Sequence, residues 1–197
     1  MRNKMLKNIL KITAIISLLL GTISVLAQND NKKIKIYISQ GARHPALDAT
    51  TKGVIDGLKD SGYNKTNTDL QIEYAAGSIP LAQQIASKFV GNKTDIAVGI
   101  GTMASQSFMK YVKEKKVSLI FTTVTDPIGA NLTSSLKSSG ASVSGVSNYI
   151  PLEPQLEMFK KILPNMKTLG FLYNPSEANS VSCDAEHGVG VGGASPL

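Results

Sequence analysis

From residue 34 onward, short apolar runs alternate with segments of helical period, and this alternation restricts the fold more than any other feature of the chain. Residues 34–38, 70–74, 96–100, 117–121, 143–146 and 168–173 read as strands. Between them Leu47, Val54, Ile55 and Leu58 fall at helical spacing, as do Ala82, Ile85, Ala86, Phe89 and Val90, and then Ala104, Ser107, Phe108 and Tyr111. Punctuation agrees, since Pro45 sits at a helix start and Gly62 follows a helix end. Strand, helix, strand repeated in this way predicts an α/β fold, a parallel sheet with helices on both faces. After Val146 the character changes. Residues 147–151 form a polar linker, a helix over 153–163 sets Leu156, Phe159 and Leu163 on one face, and a fresh strand ends at Asn174-Pro175. A second α/β unit is expected to start there.

The first 27 of the 197 residues read as a secretory signal. Arg2, Lys4, Lys7 and Lys11 form a basic start, residues 12–20 are apolar, and Val25-Leu-Ala27 makes a small-residue cleavage site before Gln28. The expectation is an exported protein of the periplasm or cell surface, with an uncleaved signal acting as an anchor in the alternative case. The leader supplies four of the cations behind the formal net charge of +7, so the remainder carries +3, with its charges interspersed along helical faces. Nucleic-acid binding thereby loses its main support. Cys183 is the single cysteine, so no internal disulfide is expected, and a core of this size can do without one. The chain divides into a signal (residues 1–27), a first α/β lobe (28–147) and a hinge crossing with the start of a second lobe (148–182). Residues 183–197 have no period and no packing face and are expected to be disordered, in the manner of a read-through in another frame.

In an open parallel sheet, ligands gather beyond the carboxyl ends of the strands, where loops and helix N-termini converge with unpaired N–H groups. After the first strand, His44 either caps the helix that Pro45 starts, with Asp48 complementing its dipole, or stands with Gln40 at a ligand. The third strand runs into Gly99-Ile-Gly-Thr-Met-Ala104, with Asp126 further on, which matches the dinucleotide fingerprint in letters. Its context is poor, because this is the third strand and Asp126 adjoins a proline in a loop. The better account lets the glycines bring backbone close, while Thr102 caps a helix whose free amides at Met103 and Ala104 could hold a carboxylate. Plain capping without a ligand accounts for the same residues. The fourth strand exits into Thr122-Thr-Val-Thr-Asp-Pro-Ile-Gly129. A turn explains Asp126, Pro127 and Gly129. It does not explain the crowding of Thr122, Thr123 and Thr125, whose hydroxyls suit a small polar ligand, with Asp126 suited to an ammonium group. Asn174-Pro-Ser-Glu-Ala-Asn-Ser180 makes an ordinary helix start at Ser176-Glu177 and, facing the first lobe, a second wall of a cleft. Catalysis finds little support: there is no G-x-S-x-G elbow, no usable Ser/His/Asp order, and two histidines cannot make a metal site.

Taken together, His44-Pro-Ala-Leu-Asp48, Asp56-Gly-Leu, Ala82-Gln-Gln-Ile-Ala86, Phe121-Thr-Thr-Val-Thr-Asp-Pro127, Gly145-Val-Ser and Tyr173-Asn-Pro-Ser-Glu-Ala-Asn-Ser180 resemble the substrate-binding proteins of ABC importers, in the group that includes tryptophan and phenylalanine binders. The resemblance covers roughly residues 33–182. It implies a periplasmic-binding-protein-like fold, with two α/β lobes closing on an amino acid or related amphiphile, delivery to a membrane permease, and neither catalysis nor a cofactor. It also implies a ligand carboxylate on helix N-termini and a ligand amine on an acidic side chain. The ligand-binding residues are then Gln40, His44, Thr102, Met103, Ala104, Thr123, Thr125, Asp126, Asn148, Asn174, Glu177 and Asn179. Asn148 stands where members often carry Asp, and the second lobe is expected to be truncated. The principal alternative is an exported ligand-sensing domain of a signalling protein, and an enzyme using the glycine turn comes third.

Overall fold

The computed structural model describes residues 32–137, 142–170 and 174–185. Five parallel strands, β1 (Ile34–Gln40), β2 (Thr68–Tyr74), β3 (Ile96–Ile100), β4 (Ser118–Val124) and β5 (Val143–Ser147), form one sheet in the order β2-β1-β3-β4-β5. The crossovers carry α1 (Pro45–Asp60), α2 (Ile79–Gly91), and the pair α3 (Thr102–Gln106) and α4 (Met109–Lys113). Two further helices, α5 (Glu153–Ile162) and α6 (Ala178–Ala185), follow. Helices lie on both faces, as the alternation predicts.

Strand alternation sorts the core into two clusters. Ile36, Ile38, Val98 and Ile100 point to one face and meet Leu47, Val54, Ile55 and Leu58 of α1. Tyr37, Ala97, Leu119 and Phe121 point to the other and are covered by α2, α3 and α4 through Ala82, Ile85, Phe89, Phe108 and Val112. Phe89 is the hub of this larger cluster. Its ring meets Tyr37 edge-on at 5.0 Å and stacks near Phe108 at 6.2 Å. The Tyr37 hydroxyl donates to Asp69 Oδ2 (2.8 Å) and accepts from Gln71 Nε2 (3.0 Å). Burial, reinforced by the Asp69 carboxylate, pushes its pKa up to about 12.

Local chemistry accounts for the helix ends. His44 is the N-cap of α1, with Nδ1 accepting from Ala46 N (3.2 Å) and Pro45 following, and Asp48 lies in the first turn, as the capping account of this loop expects. Gly62, at φ +86°, follows the helix end. Ser78 caps α2 by accepting from Leu81 N (3.3 Å).

The structure differs from the sequence reading in several places. β4 runs on to Val124, so Thr122 and Thr123 belong to the strand and not to its exit loop. The helical period over Ala104 to Tyr111 is broken at Ser107-Phe108, where Phe108 N bonds Ser105 O and Tyr111 N bonds Phe108 O, three residues back instead of four. The apolar face of α5 buries none of its residues. The expected sixth strand is described only by a bridge at Thr168. Residues 171–173, residues 1–31 with the leader at 1–27, and most of the anomalous tail, 186–197, lie outside the described residues. Residues 183–185 of that tail are helical, as the end of α6.

Candidate ligand-binding site

Strand order reverses between β1 and β3, and the crevice at such a switch point is where an open parallel sheet takes its ligands. Backbone bonds knit the strand exits together at this edge. Gly41 N donates to Ile100 O (2.9 Å), Gly101 N to Thr122 O (2.9 Å), and Ala75 N to Gln40 O (2.8 Å). The loops leaving β2, β1, β3 and β4 therefore form one connected rim.

Beneath the β1 exit sits Gln40, with no exposed surface. Its Nε2 donates to Ala42 O and to Asp48 Oδ1, both at 2.7 Å, and its Oε1 accepts from Thr51 Oγ1 at 2.5 Å. Every polar atom of the amide is committed. Gln40 thus shapes the loop from below instead of presenting itself at the surface, and Asp48, exposed above it, is oriented by a buried donor. His44 is exposed at the rim with Nδ1 engaged as the cap.

At the β3 exit, Gly99 allows α3 to lie directly on the strand, for a Cβ there would come within 2.7 Å of Ser105 Cα. The dinucleotide letters at this turn are explained by that packing. Thr102 is not the cap. Gly101, at φ +92°, occupies the N-cap position, which a residue with a Cβ rarely adopts, and Thr102 is the buried first residue of α3. The first four-residue bond of α3 runs from Ser105 N to Gly101 O (3.1 Å), so the amides of Met103 and Ala104 lie ahead of it.

The β4 exit is strained. The β4–β5 register shifts between Thr122 and Val124, and the extra residue, Thr123, stands at φ +56°, an outlier for a β-branched side chain. Such a conformation costs on the order of 1–3 kcal/mol and persists only where its surroundings hold it. Here the bulge turns the Thr123 hydroxyl toward α1, where it donates to Thr50 Oγ1 (3.3 Å), which in turn donates to Ala46 O (2.9 Å). Asp126 closes the next turn: its Oδ1 accepts from Ile128 N (3.0 Å) and Gly129 N (2.8 Å). Half-buried Thr125 is tied to β5 through its carbonyl, which accepts from Ser147 Oγ (2.9 Å), and exposed Asn148 hangs from Val124 O by its amide (3.1 Å).

Across from these, Asn174 organises the start of α6. Its Oδ1 accepts from Ser176 N (3.0 Å) and its Nδ2 donates to Glu177 Oε1 (3.1 Å). Glu177 O accepts from Ser180 N and Val181 N, so the helix starts one residue later than Ser176-Glu177 suggests. Ala178 packs against the larger core cluster. Between α2, α3 and this turn lies a cavity of about 190 Å³. Ile79 and Gln83 of α2, Met103 and Gln106 of α3, and Glu177 and Asn179 line it, and Glu177 is its single ionisable side chain.

Met103, Glu177 and Asn179, far apart in the chain, are thus brought to one cavity, while Thr123 faces the opposite, α1 side of the sheet. The sequence reading passed over Arg43, whose guanidinium carbon lies 3.3 Å from the centroid of the Tyr74 ring at the β2 exit. It also passed over Thr50 and Gln106, because an unremarkable helical position carries no signal of what stands opposite.

Residues 35–186 match the family model described as ABC transporter substrate binding protein. The chain belongs to this family. It is 40% identical over 169 residues to the tyrosine-binding protein of Clostridioides difficile, covering 82% of this chain and 48% of that one. Among solved structures it resembles a conserved domain protein of Vibrio cholerae (TM-score 0.71, 41% identity, 80% of this chain and 55% of the other). It also resembles the ABC domain in complex with L-Trp from Streptococcus pneumonia (TM-score 0.74, 37% identity, 79% and 52%). The chain spans about half the length of these relatives. The family's α/β fold is the one described above.

Proposed function

We propose that this chain is the extracytoplasmic solute-binding component of an ABC importer, holding an amino acid or related ligand and handing it to a membrane permease without catalysing any reaction on it. The observation that carries the reading is the coincidence of the family match over residues 35–186 with the convergent loops at the switch point. A tyrosine-binding relative and an L-Trp-bound neighbour favour an aromatic amino acid. In this reading the amides of Met103 and Ala104, with Thr102 beneath them, receive the ligand carboxylate. Thr123, Thr125, Asp126 and Asn148 form the wall at the β4 and β5 exits, and Asn174, Glu177 and Asn179 close from the far side. His44 lies at the rim and Gln40 supports it. Among the described residues no helix is long and apolar enough to cross a membrane.

The chain contains no tryptophan, so the fluorescence of an L-tryptophan ligand, excited at wavelengths that its tyrosines do not absorb, can be followed without tryptophan background from the protein. Titration is expected to show saturable binding that L-tyrosine and L-phenylalanine compete away and that the corresponding amides compete away poorly. Failure of all three amino acids to bind, by fluorescence and by calorimetry, would remove the aromatic reading.

A further inference from the structure

We infer that Glu177 is the anionic partner of the ligand's ammonium group, in a subsite built between α2, α3 and the Asn174 turn. This inference rests on the amino-acid reading above and names the group within it that recognises the amine.

An ammonium group leaving water needs an opposite charge and acceptors for three N–H bonds. Of the carboxylates near the strand exits, Glu73 is paired with Lys88 Nζ at 2.6 Å, and the surroundings of the other three separate them. Asp126 uses Oδ1 to close its turn through two backbone amides, at 2.8 and 3.0 Å, which gives it a structural task. Asp48 is exposed on α1 and answers to Gln40 below it. Glu177 alone lines a cavity, and no other side chain there carries charge. Its Oε1 is held by Asn174 Nδ2 at 3.1 Å, a single donor that fixes the carboxylate's position and leaves acceptor capacity on both oxygens.

The remaining lining fits the same ligand. Asn179 and Gln83 offer amide oxygens, and Gln106 is oriented by the bond from its Nε2 to Ala130 O (3.0 Å). Ile79 and Met103 supply the apolar side, and the unbranched thioether adapts to different stems. A dry cavity of roughly 150 Å³ takes a benzene-sized group, so about 190 Å³ suits a primary ammonium with its adjoining carbons. The subsite also explains why Met103, at the first turn of α3, and Glu177 are brought together.

The test compares two variants and two ligands that differ only by the amine, L-tryptophan and indole-3-propionate, by calorimetry on the whole chain. Glu177→Gln is expected to weaken L-tryptophan by about tenfold to a hundredfold, the factor associated with a hydrogen bond to a charged group. Indole-3-propionate should change by less than about twofold, since a salt link absent from the ligand cannot be lost. Unchanged L-tryptophan affinity in Glu177→Gln, or an amine-selective loss in Asp126→Asn instead, overturns the assignment while leaving the amino-acid reading standing. Equal weakening of both ligands would show that Glu177 only docks its own segment. A wild-type chain that binds no aromatic amino acid would remove both readings, and that measurement needs no variant. Should Glu177→Gln unfold by circular dichroism, Glu177→Asp must show the same amine-selective loss in smaller measure, and its absence overturns the inference equally.

Discussion

Residues 33–132 and residues 143–185 obey the same periodic rules and reach different ends. In the first stretch the apolar positions are covered: Phe89, Phe108, Ile38 and Leu119 have essentially no exposed surface. In the second, Val143 alone is buried among the described residues, and Phe159 of α5 and Leu163 just after it lie open on the face that the sequence marks as apolar. Periodicity states which face of an element would be buried. Burial itself requires a second surface at the right distance, and in the first stretch the sheet supplies one on each side.

Core truncation separates the two stretches most sharply. Phe89→Ala removes the ring that joins Tyr37 to Phe108 and is expected to cost about 3–5 kcal/mol, whereas Phe159→Ala, at 39% exposure, should cost under about 1 kcal/mol. Urea denaturation of the two variants reads both. A loss at Phe159 as large as that at Phe89 would erase the contrast.

A smaller effect tests where the boundary lies. Gly145 in β5 stands opposite Phe121, and a Cβ there would come within 2.2 Å of Phe121 O and 2.5 Å of its ring. Gly145→Ala is therefore expected to destabilise by about 1–3 kcal/mol, as overpacking does, although the residue is exposed. If its melting temperature equals that of the parent, β5 belongs with the loosely covered stretch and not with the sheet.

The smallest effect at neutral pH concerns Tyr37. Its pKa is raised from 10.0 to about 12 in the folded state, so the neutral hydroxyl is the favoured form. The stabilisation is complete below pH about 10 and is lost as pH rises through about 12, with no change across the physiological range. Phenolate absorbance of the parent minus that of Tyr37→Phe should show a titration near pH 12. A midpoint near 10 would mean that the hydroxyl is not enclosed with Asp69.

Much of the frame was legible from neighbours in the chain. The strand positions, the apolar faces of α1 and α2, the cap at His44-Pro45 and the glycine after α1 all follow from residues within one turn of each other. The carbonyl reach of α3 was less so: Ser107-Phe108 carries a helical period and is nonetheless a break, because Phe108 is drawn into the core beside Phe89. At the site, the threonines at the end of β4 stood out by composition, but Thr123 at φ +56° could not be foreseen from its type, since β-branched residues avoid that region. Its conformation follows from the register shift against β5 and the hydroxyl of Thr50.

By itself, then, the sequence determined the α/β class, the parallel sheet and the family, because those depend on local periodicity, capping and motifs. Only the tertiary structure decided what each candidate side chain does. Gln40 is a buried support, Gly101 and not Thr102 is the cap, Asp126 closes a turn, and Met103 and Glu177 share a cavity. Those assignments depend on strand order and register, which bring together atoms from distant positions, and no spacing along the chain encodes that distance.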